Sequence, residues 1–144
     1  MANNSQFAIA VHAMALLARS GDEFAKSDCI ARSVNTNPVV IRRVLCAMSD
    51  AGLVSSQSGP TGGSRLAVPP TNINLLDIYR AVEQRAIFGL HCRPPDQDCP
   101  VGRGIESVLC AVQVQVEGAM NEVLSGITLD SVVQRLEPEL VNCG

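Results

Sequence analysis

The stretch NPVVIRRVLCAMSDAGLVSSQSGPTGGSRL, residues 37–66, decides the fold. Asn37 is a favoured N-cap. Pro38 suits the first helical position, because the N–H it lacks would have no partner there, and Gly52 is the residue type that closes a helix in the left-handed conformation. The pattern predicts a short helix bounded at both ends. Val40, Val44, Leu45 and Met48 fall on one side of it as core, while Asn37, Val39, Arg42, Arg43 and Cys46 fall elsewhere. Next come Leu53 and Val54, a turn-forming run from Ser58 to Gly63, and a second apolar stretch from Leu66 to Val68, which together predict a β-hairpin with a glycine-rich tip. No Gly-Lys-Ser/Thr follows the glycines, so this is not a nucleotide-binding loop. A capped basic helix followed by a hairpin is the pattern of a winged helix-turn-helix, and it points to DNA.

Toward the N-terminus, Phe7, Ala10, Val11, Met14, Leu17 and Ala18 recur at three- and four-residue spacings, the stripe of an amphipathic helix that ends at Gly21. His12 lies in that helix and reads as a surface or half-buried residue. Ser27 is a candidate cap for a second helix from Asp28 to about Val34, with Ile30, Ala31 and Val34 inward. The turn Asn35-Thr36-Asn37 leads into the capped helix. Toward the C-terminus, Pro69 and Pro70 break the chain and Asn74 caps an element whose apolar face is Leu75, Leu76, Ile78, Tyr79 and Val82. Residues 86–99 form an irregular loop. From Pro100 a long helix places Ile105, Leu109, Val112, Val116, Ala119 and Val123 on a seam of about two and a half heptads. Gly126 ends it, and Thr128 caps a last short helix, Leu129 to Leu136. The predicted class is mainly α with a small β-hairpin wing. It divides into a winged helix-turn-helix domain over residues 1–85, a sensing loop over 86–99, and a dimerisation helix with a C-terminal tail over 100–144.

The net charge of −3 fits a DNA-binding protein only when divided by segment. Residues 25–66 carry Lys26, Arg32, Arg42, Arg43 and Arg65 against Asp28 and Asp50, whereas residues 105–144 carry six carboxylates against Arg135 alone. Positive charge thus collects where the opening stretch lies. Aromatic residues are scarce and Trp is absent, which disfavours base-stacking recognition of single strands and favours a duplex. No apolar run is long enough to span a membrane, and the apolar stretch from Phe7 to Ala18 lacks the basic lead and cleavage site of a signal peptide. The expected location is the cytoplasm. In that reducing compartment six cysteines raise the question of metal or redox chemistry more than of structural disulfides.

In a helix-turn-helix the N-terminal part of the second motif helix meets base edges. This nominates Asn37, suited to adenine, Val39, suited to a thymine methyl, and Arg42 and Arg43, suited to guanine. At least one arginine reads better as a phosphate contact. Arg65 and the tip at Thr61 would follow the backbone or enter the minor groove, and Lys26, Ser58 and Pro60 complete the candidate DNA surface. The long seam reads as a self-complementary dimer interface, which would present two recognition helices to a roughly palindromic site. An enzyme reading would rest on His91 beside Cys92, but sequence neighbours rarely point at one another and no third orienting residue is available.

Taken together, Asn35-Thr36-Asn37-Pro38-Val39-Val40-Ile41-Arg42-Arg43, the tract Gly52-Leu53-Val54, the wing Gly59-Pro60-Thr61-Gly62-Gly63 and the tract Ile78-Tyr79-Arg80-Ala81-Val82-Glu83 resemble the Rrf-two family of bacterial winged-helix transcription regulators. The resemblance covers nearly the whole chain. It implies a homodimeric repressor or activator of double-stranded promoter DNA, of which a repressor is the expected form. Several members of that family hold an iron–sulfur cluster on three evenly spaced cysteines, and the corresponding candidates here are Cys92, Cys99 and Cys110. Their wider, uneven spacing departs from that pattern and leaves cluster binding as the alternative. The step Cys99-Pro100-Val101-Gly102 is closer to the cluster-free branch typified by YwnA, which implies no cofactor. Cys99 would then be a reactive thiolate at a helix N-terminus, Cys29 its partner across a dimer, and Cys143 an accessory thiol. Ser58 stands where cluster-binding relatives carry a DNA-reading Arg on the wing. That departure motivates a third reading, a winged-helix interaction module that does not bind DNA.

Overall fold

A computed structural model describes residues 5–136. Six α-helices, one 3₁₀ turn and one hairpin follow in the order α1 (Gln6–Ser20), α2 (Ser27–Val34), α3 (Pro38–Asp50), β1 (Val54–Gln57), β2 (Gly63–Leu66), the 3₁₀ turn (Pro70–Asn72), α4 (Leu75–Val82), α5 (Pro100–Ser125) and α6 (Leu129–Gln134). The mainly helical winged helix-turn-helix with a long helix is as expected. The chain forms two compact units. One holds residues up to Gln84 together with those from Leu124 onward, and the other is Arg85–Val123.

In the first unit the core is built from α1 (Ala10, Ala13, Met14, Leu17), α2 (Ile30, Ala31), α3 (Ile41, Val44, Leu45, Met48) and Ile73 and Ile78 around α4. Helical periodicity places these residues on single faces, and burying them stabilises the unit by roughly 1.5–3 kcal/mol for each large side chain. Ile41, absent from the expected stripe of α3, is fully buried, and Val40 is only half-buried. Val44, Leu45 and Met48 are buried as expected, and the inward face differs only in its first turn, where Ile41 replaces Val40.

The caps follow the sequence with one exception. Asn37 accepts a hydrogen bond at its side chain from the Val39 N–H at 2.8 Å, and Asn74 forms a reciprocal capping box with Asp77. Gly52, with φ +78°, follows α3 in the left-handed conformation. In α2, however, Lys26 and not Ser27 occupies the N-cap, and no side chain caps it. The reason lies in the wing. Ala25 and Ser64 exchange two backbone hydrogen bonds of 2.9 Å each, so the chain stays extended through Lys26 and turns helical one residue later. Asn35 then closes α2 at φ 62°, ψ 52°, a conformation that Asn tolerates better than most residues.

The hairpin pairs Val54 with Leu66, Ser55 with Arg65, Ser56 with Ser64 and Gln57 with Gly63. Its second strand is Gly63–Leu66, earlier than the expected Leu66 to Val68. The strand begins there because Gly63 must pair with Gln57 and lie against the Ala25 backbone. Its φ is +152°, and a Cβ at that position would lie 2.5 Å from the Ala25 carbonyl oxygen. The expected element over residues 70–85 resolves into the 3₁₀ turn and the two-turn α4.

The last helix departs from the expected tail. It ends at Gln134 and not at Leu136. It packs on α1, with Leu129 fully buried in the core, and the Leu129 N–H donates to the Ile73 carbonyl at 2.8 Å while the Leu75 N–H donates to that of Ile127 at 2.9 Å. Residues 124–136 thus belong with the winged unit. In the second unit, irregular chain through the nineties precedes α5, a helix of 26 residues of which none is buried. Truncating Leu129 to Ala leaves a cavity in the shared core, so Leu129→Ala should lose about 2–5 kcal/mol in urea unfolding. A loss under about 1 kcal/mol would show that α6 is not part of that core.

Candidate nucleic-acid interface

The face of α3 opposite Ile41, Val44 and Met48 is open. Val39 is 46% exposed, and Asn37, Arg42 and Arg43 are exposed beside it. Because the opposite side is sealed in the core, the Cα–Cβ bonds of these residues have a fixed direction. Asn37 is less free than its exposure implies. Its oxygen, the atom that would accept from adenine N6, already caps α3.

The wing closes one side of the same surface. Gly62 donates its N–H to the Gly59 carbonyl at 3.0 Å, which places Pro60 and Thr61 at the exposed tip of a tight turn. Ser58 is exposed at its root. Lys26, Ser27, Asp28, Arg42, Gln57, Gly59, Pro60, Gly62 and Gly63 together line a cleft of about 260 Å³ between the start of α2, α3 and the wing. Expected contacts far apart in sequence thereby come to one place, and Lys26 is brought there by its position as the last extended residue before α2.

Arg65 is turned another way. Its guanidinium carbon lies 4.6 Å from the centroid of the Phe24 ring, and its Nη1 donates to the Asp22 carbonyl at 3.2 Å. The side chain is half-buried, stacked against the segment ahead of α2. It braces the base of the wing instead of reaching outward as expected. Asp22, Phe24 and Ala25 were not among the expected participants, since pairing across the chain has no local signature. Asp28 was also missed. Its Oδ1 lies 3.7 Å from Arg42 Nη2, and the only sequence hint was a carboxylate inside a basic segment.

His12 is exposed on α1, where its Nε2 lies 3.0 Å from the Ser33 hydroxyl. Cys46 is an exposed free thiol on α3. Cys29 is half-buried against the core and engaged in a disulfide, whereas Cys92, Cys99 and Cys110 are free. Cys29 and Cys99 are therefore not joined to each other within one chain. Cys143 lies outside the described residues.

In the second unit, Cys99 immediately precedes α5 as expected and is half-buried. The loop ahead of it is braced. The Asp98 N–H donates to the Asp96 carboxylate at 2.9 Å, Arg103 Nη1 donates to the Gln97 carbonyl at 3.1 Å, and a Cβ on Gly102 would run into the Asp96 backbone. Cys92 and Cys110 are exposed. Among the described residues no three His, Cys, Asp or Glu side chains are grouped to hold a metal ion. Cys92, Cys99 and Cys110 are thus not gathered into one group among the described residues, whereas an iron–sulfur cluster needs its thiolates in a fixed array.

Residues 3–135 match the Rrf2 family, described as iron-dependent transcriptional regulators. The chain belongs to the Rrf2 family. YwnA of Bacillus subtilis (strain 168), described as an HTH-type transcriptional regulator, is 40% identical over 134 residues, covering 92% of this chain and 98% of its own. Among solved structures, one of a protein described as DNA-binding is 34% identical, with a TM-score of 0.72 over 89% of this chain and 98% of that one. T. potens IscR is 25% identical, with a TM-score of 0.70 over 95% and 89% of the two chains. Membership in the Rrf2 family makes this a DNA-binding transcription regulator and not an enzyme. Among the described residues no helix is long and apolar enough to cross a membrane.

Proposed function

We propose that this Rrf2 protein is a homodimeric, sequence-specific repressor that seats paired α3 helices on promoter DNA in the cytoplasm. The observation that carries the reading is the outward face of α3, where Val39, Arg42 and Arg43 are exposed beside the wing tip at Pro60 and Thr61. Arginine forks suit guanine edges and phosphates, and Val39 suits a thymine methyl. Lys26 and Thr61 flank this face as phosphate contacts. A dimer covering a promoter blocks access to it, which makes repression the direct consequence of binding. An interaction module without DNA binding would have no need of two exposed arginines on that face.

Support for the dimer comes from α5. Leu109, Val112 and Val116 are 37–43% exposed and Val123 is 62% exposed, on the seam that also carries Ile105 and Ala119. A helix with an apolar stripe and no buried residue suits pairing with a second copy.

A thiol response is favoured by the position of the free Cys99 thiol ahead of a 26-residue helix and by that of Cys29 on α2, beside the core of the winged unit. In this reading Cys99 of one subunit pairs with Cys29 of the other, Cys143 is an accessory thiol, and no resident cofactor is needed.

Binding to duplex DNA should weaken steeply with salt, and Arg43→Ala should flatten the salt slope by about one phosphate contact. Binding that ignores salt would end the DNA reading. Sedimentation should show a dimer for the wild type and a monomer for Val112→Asp, because a carboxylate in an apolar seam is left unpaired; a wild-type monomer at micromolar concentration rules the dimer out. In fully reduced protein, hydrogen peroxide should take two electrons and two protons from Cys29 and Cys99, releasing water and leaving an intersubunit disulfide. Non-reducing electrophoresis should then show a band of doubled mass that disappears in both Cys29→Ser and Cys99→Ser. The same band in all three proteins eliminates that pairing, and a coloured, iron-containing anaerobic preparation would restore the cluster reading.

A further inference from the structure

Arg42 Nη2 and Asp28 Oδ1 lie 3.7 Å apart, with side chains 61% and 75% exposed. An ion pair this open contributes little to folding, so stability does not explain it. Asp28 benefits from its place in the first turn of α2, where the helix dipole favours an anion. A carboxylate at any position of that turn would share this benefit, so it does not explain one placed beside Arg42. Both residues line the cleft between α2, α3 and the wing, together with Lys26 and the wing residues Gln57 and Gly59. A carboxylate there faces the surface that a polyanion must approach, and it opposes phosphate.

We infer that Asp28 is a specificity-determining positioning residue, which holds the Arg42 guanidinium by one edge and turns its other edge toward a guanine. The inference rests on the DNA-reading role of α3. Two physical consequences distinguish Arg42 from Arg43. Paired with Asp28, Arg42 adds almost no net charge, so it contributes little to counterion release and to non-specific affinity. The carboxylate 3.7 Å away also favours orientations that keep one edge of the guanidinium toward α2, and a guanidinium presenting two parallel N–H groups is the geometry that recognises guanine O6 and N7. Arg43 is not in that ion pair, and it serves as the phosphate contact. The two neighbouring arginines, equivalent in the sequence, are assigned different tasks. The ligand this predicts is a duplex with a G·C pair at the step facing Arg42 in each half-site.

The test uses the full chain and duplexes that the wild type selects from a randomised pool. The guanine facing Arg42 is the position at which Arg42→Ala stops discriminating between base pairs. At that position Asp28→Asn should lose roughly tenfold in discrimination. On random duplex it should bind more tightly, with a salt slope steeper by about one. In the Arg42→Ala background Asp28→Asn should leave discrimination unchanged, since a pairwise effect vanishes once the partner is gone. Unaltered circular dichroism would confirm that the variants fold. Tighter binding to every duplex with discrimination intact would overturn the inference and leave Asp28 as a simple phosphate repellent. An equal loss with and without Arg42 would overturn it as well. A wild type that selects no duplex would instead overturn the DNA-reading role on which the inference rests.

Discussion

The burial of one face of α3 is the constraint on which the rest of the structure depends. Ile41, Val44, Leu45 and Met48 lie in the core. Exposing any one of them would cost on the order of 1.5–3 kcal/mol, so the helix cannot rotate about its axis. Because the helical repeat is fixed, the direction of Val39, Arg42 and Arg43 is fixed with it. A reader of base edges needs that rigidity, since a side chain that samples many orientations loses entropy each time it binds. In the proposed function the hydrophobic core would thus act on recognition directly, by aiming the polar face.

The second positioning device is the backbone link between the segment ahead of α2 and the wing. A two-stranded hairpin alone is marginal in water. Here Ala25 adds a bridge to Ser64, Gly63 allows the close approach, and Arg65 stacks on Phe24 and bonds to Asp22. The same link delays the start of α2, which makes Lys26 its cap and brings Asp28 to Arg42. One small structural choice, a glycine packed against the Ala25 backbone, thus shapes the wing, the start of α2 and the ion pair in the cleft.

The C-terminal part of the chain divides between two roles. Leu129 of α6 is fully buried and shares backbone hydrogen bonds with the 70s segment, so this short helix completes the winged unit. Helix α5 is the opposite case, long and apolar on one stripe yet without a buried residue. Each behaves as its surroundings allow, since an apolar stripe is stabilising only where something covers it.

By itself the sequence determined the identity and order of the main elements. Asn37-Pro38, Asn74 with Asp77, and Gly52 are local signals, and their hydrogen bonds and backbone angles are satisfied within a few residues. It also determined family membership and the exposed Arg42–Arg43 pair, because both are written in contiguous residues. Tertiary structure alone decided that Ile41 is central to the core, that the hairpin starts at Gly63, that Arg65 turns back to Phe24, and that Leu129 returns to the first unit. It also decided that Asp28 meets Arg42. Each of these depends on chain segments brought together across many intervening residues. Local propensity does not encode such contacts, which are selected only when the whole core packs.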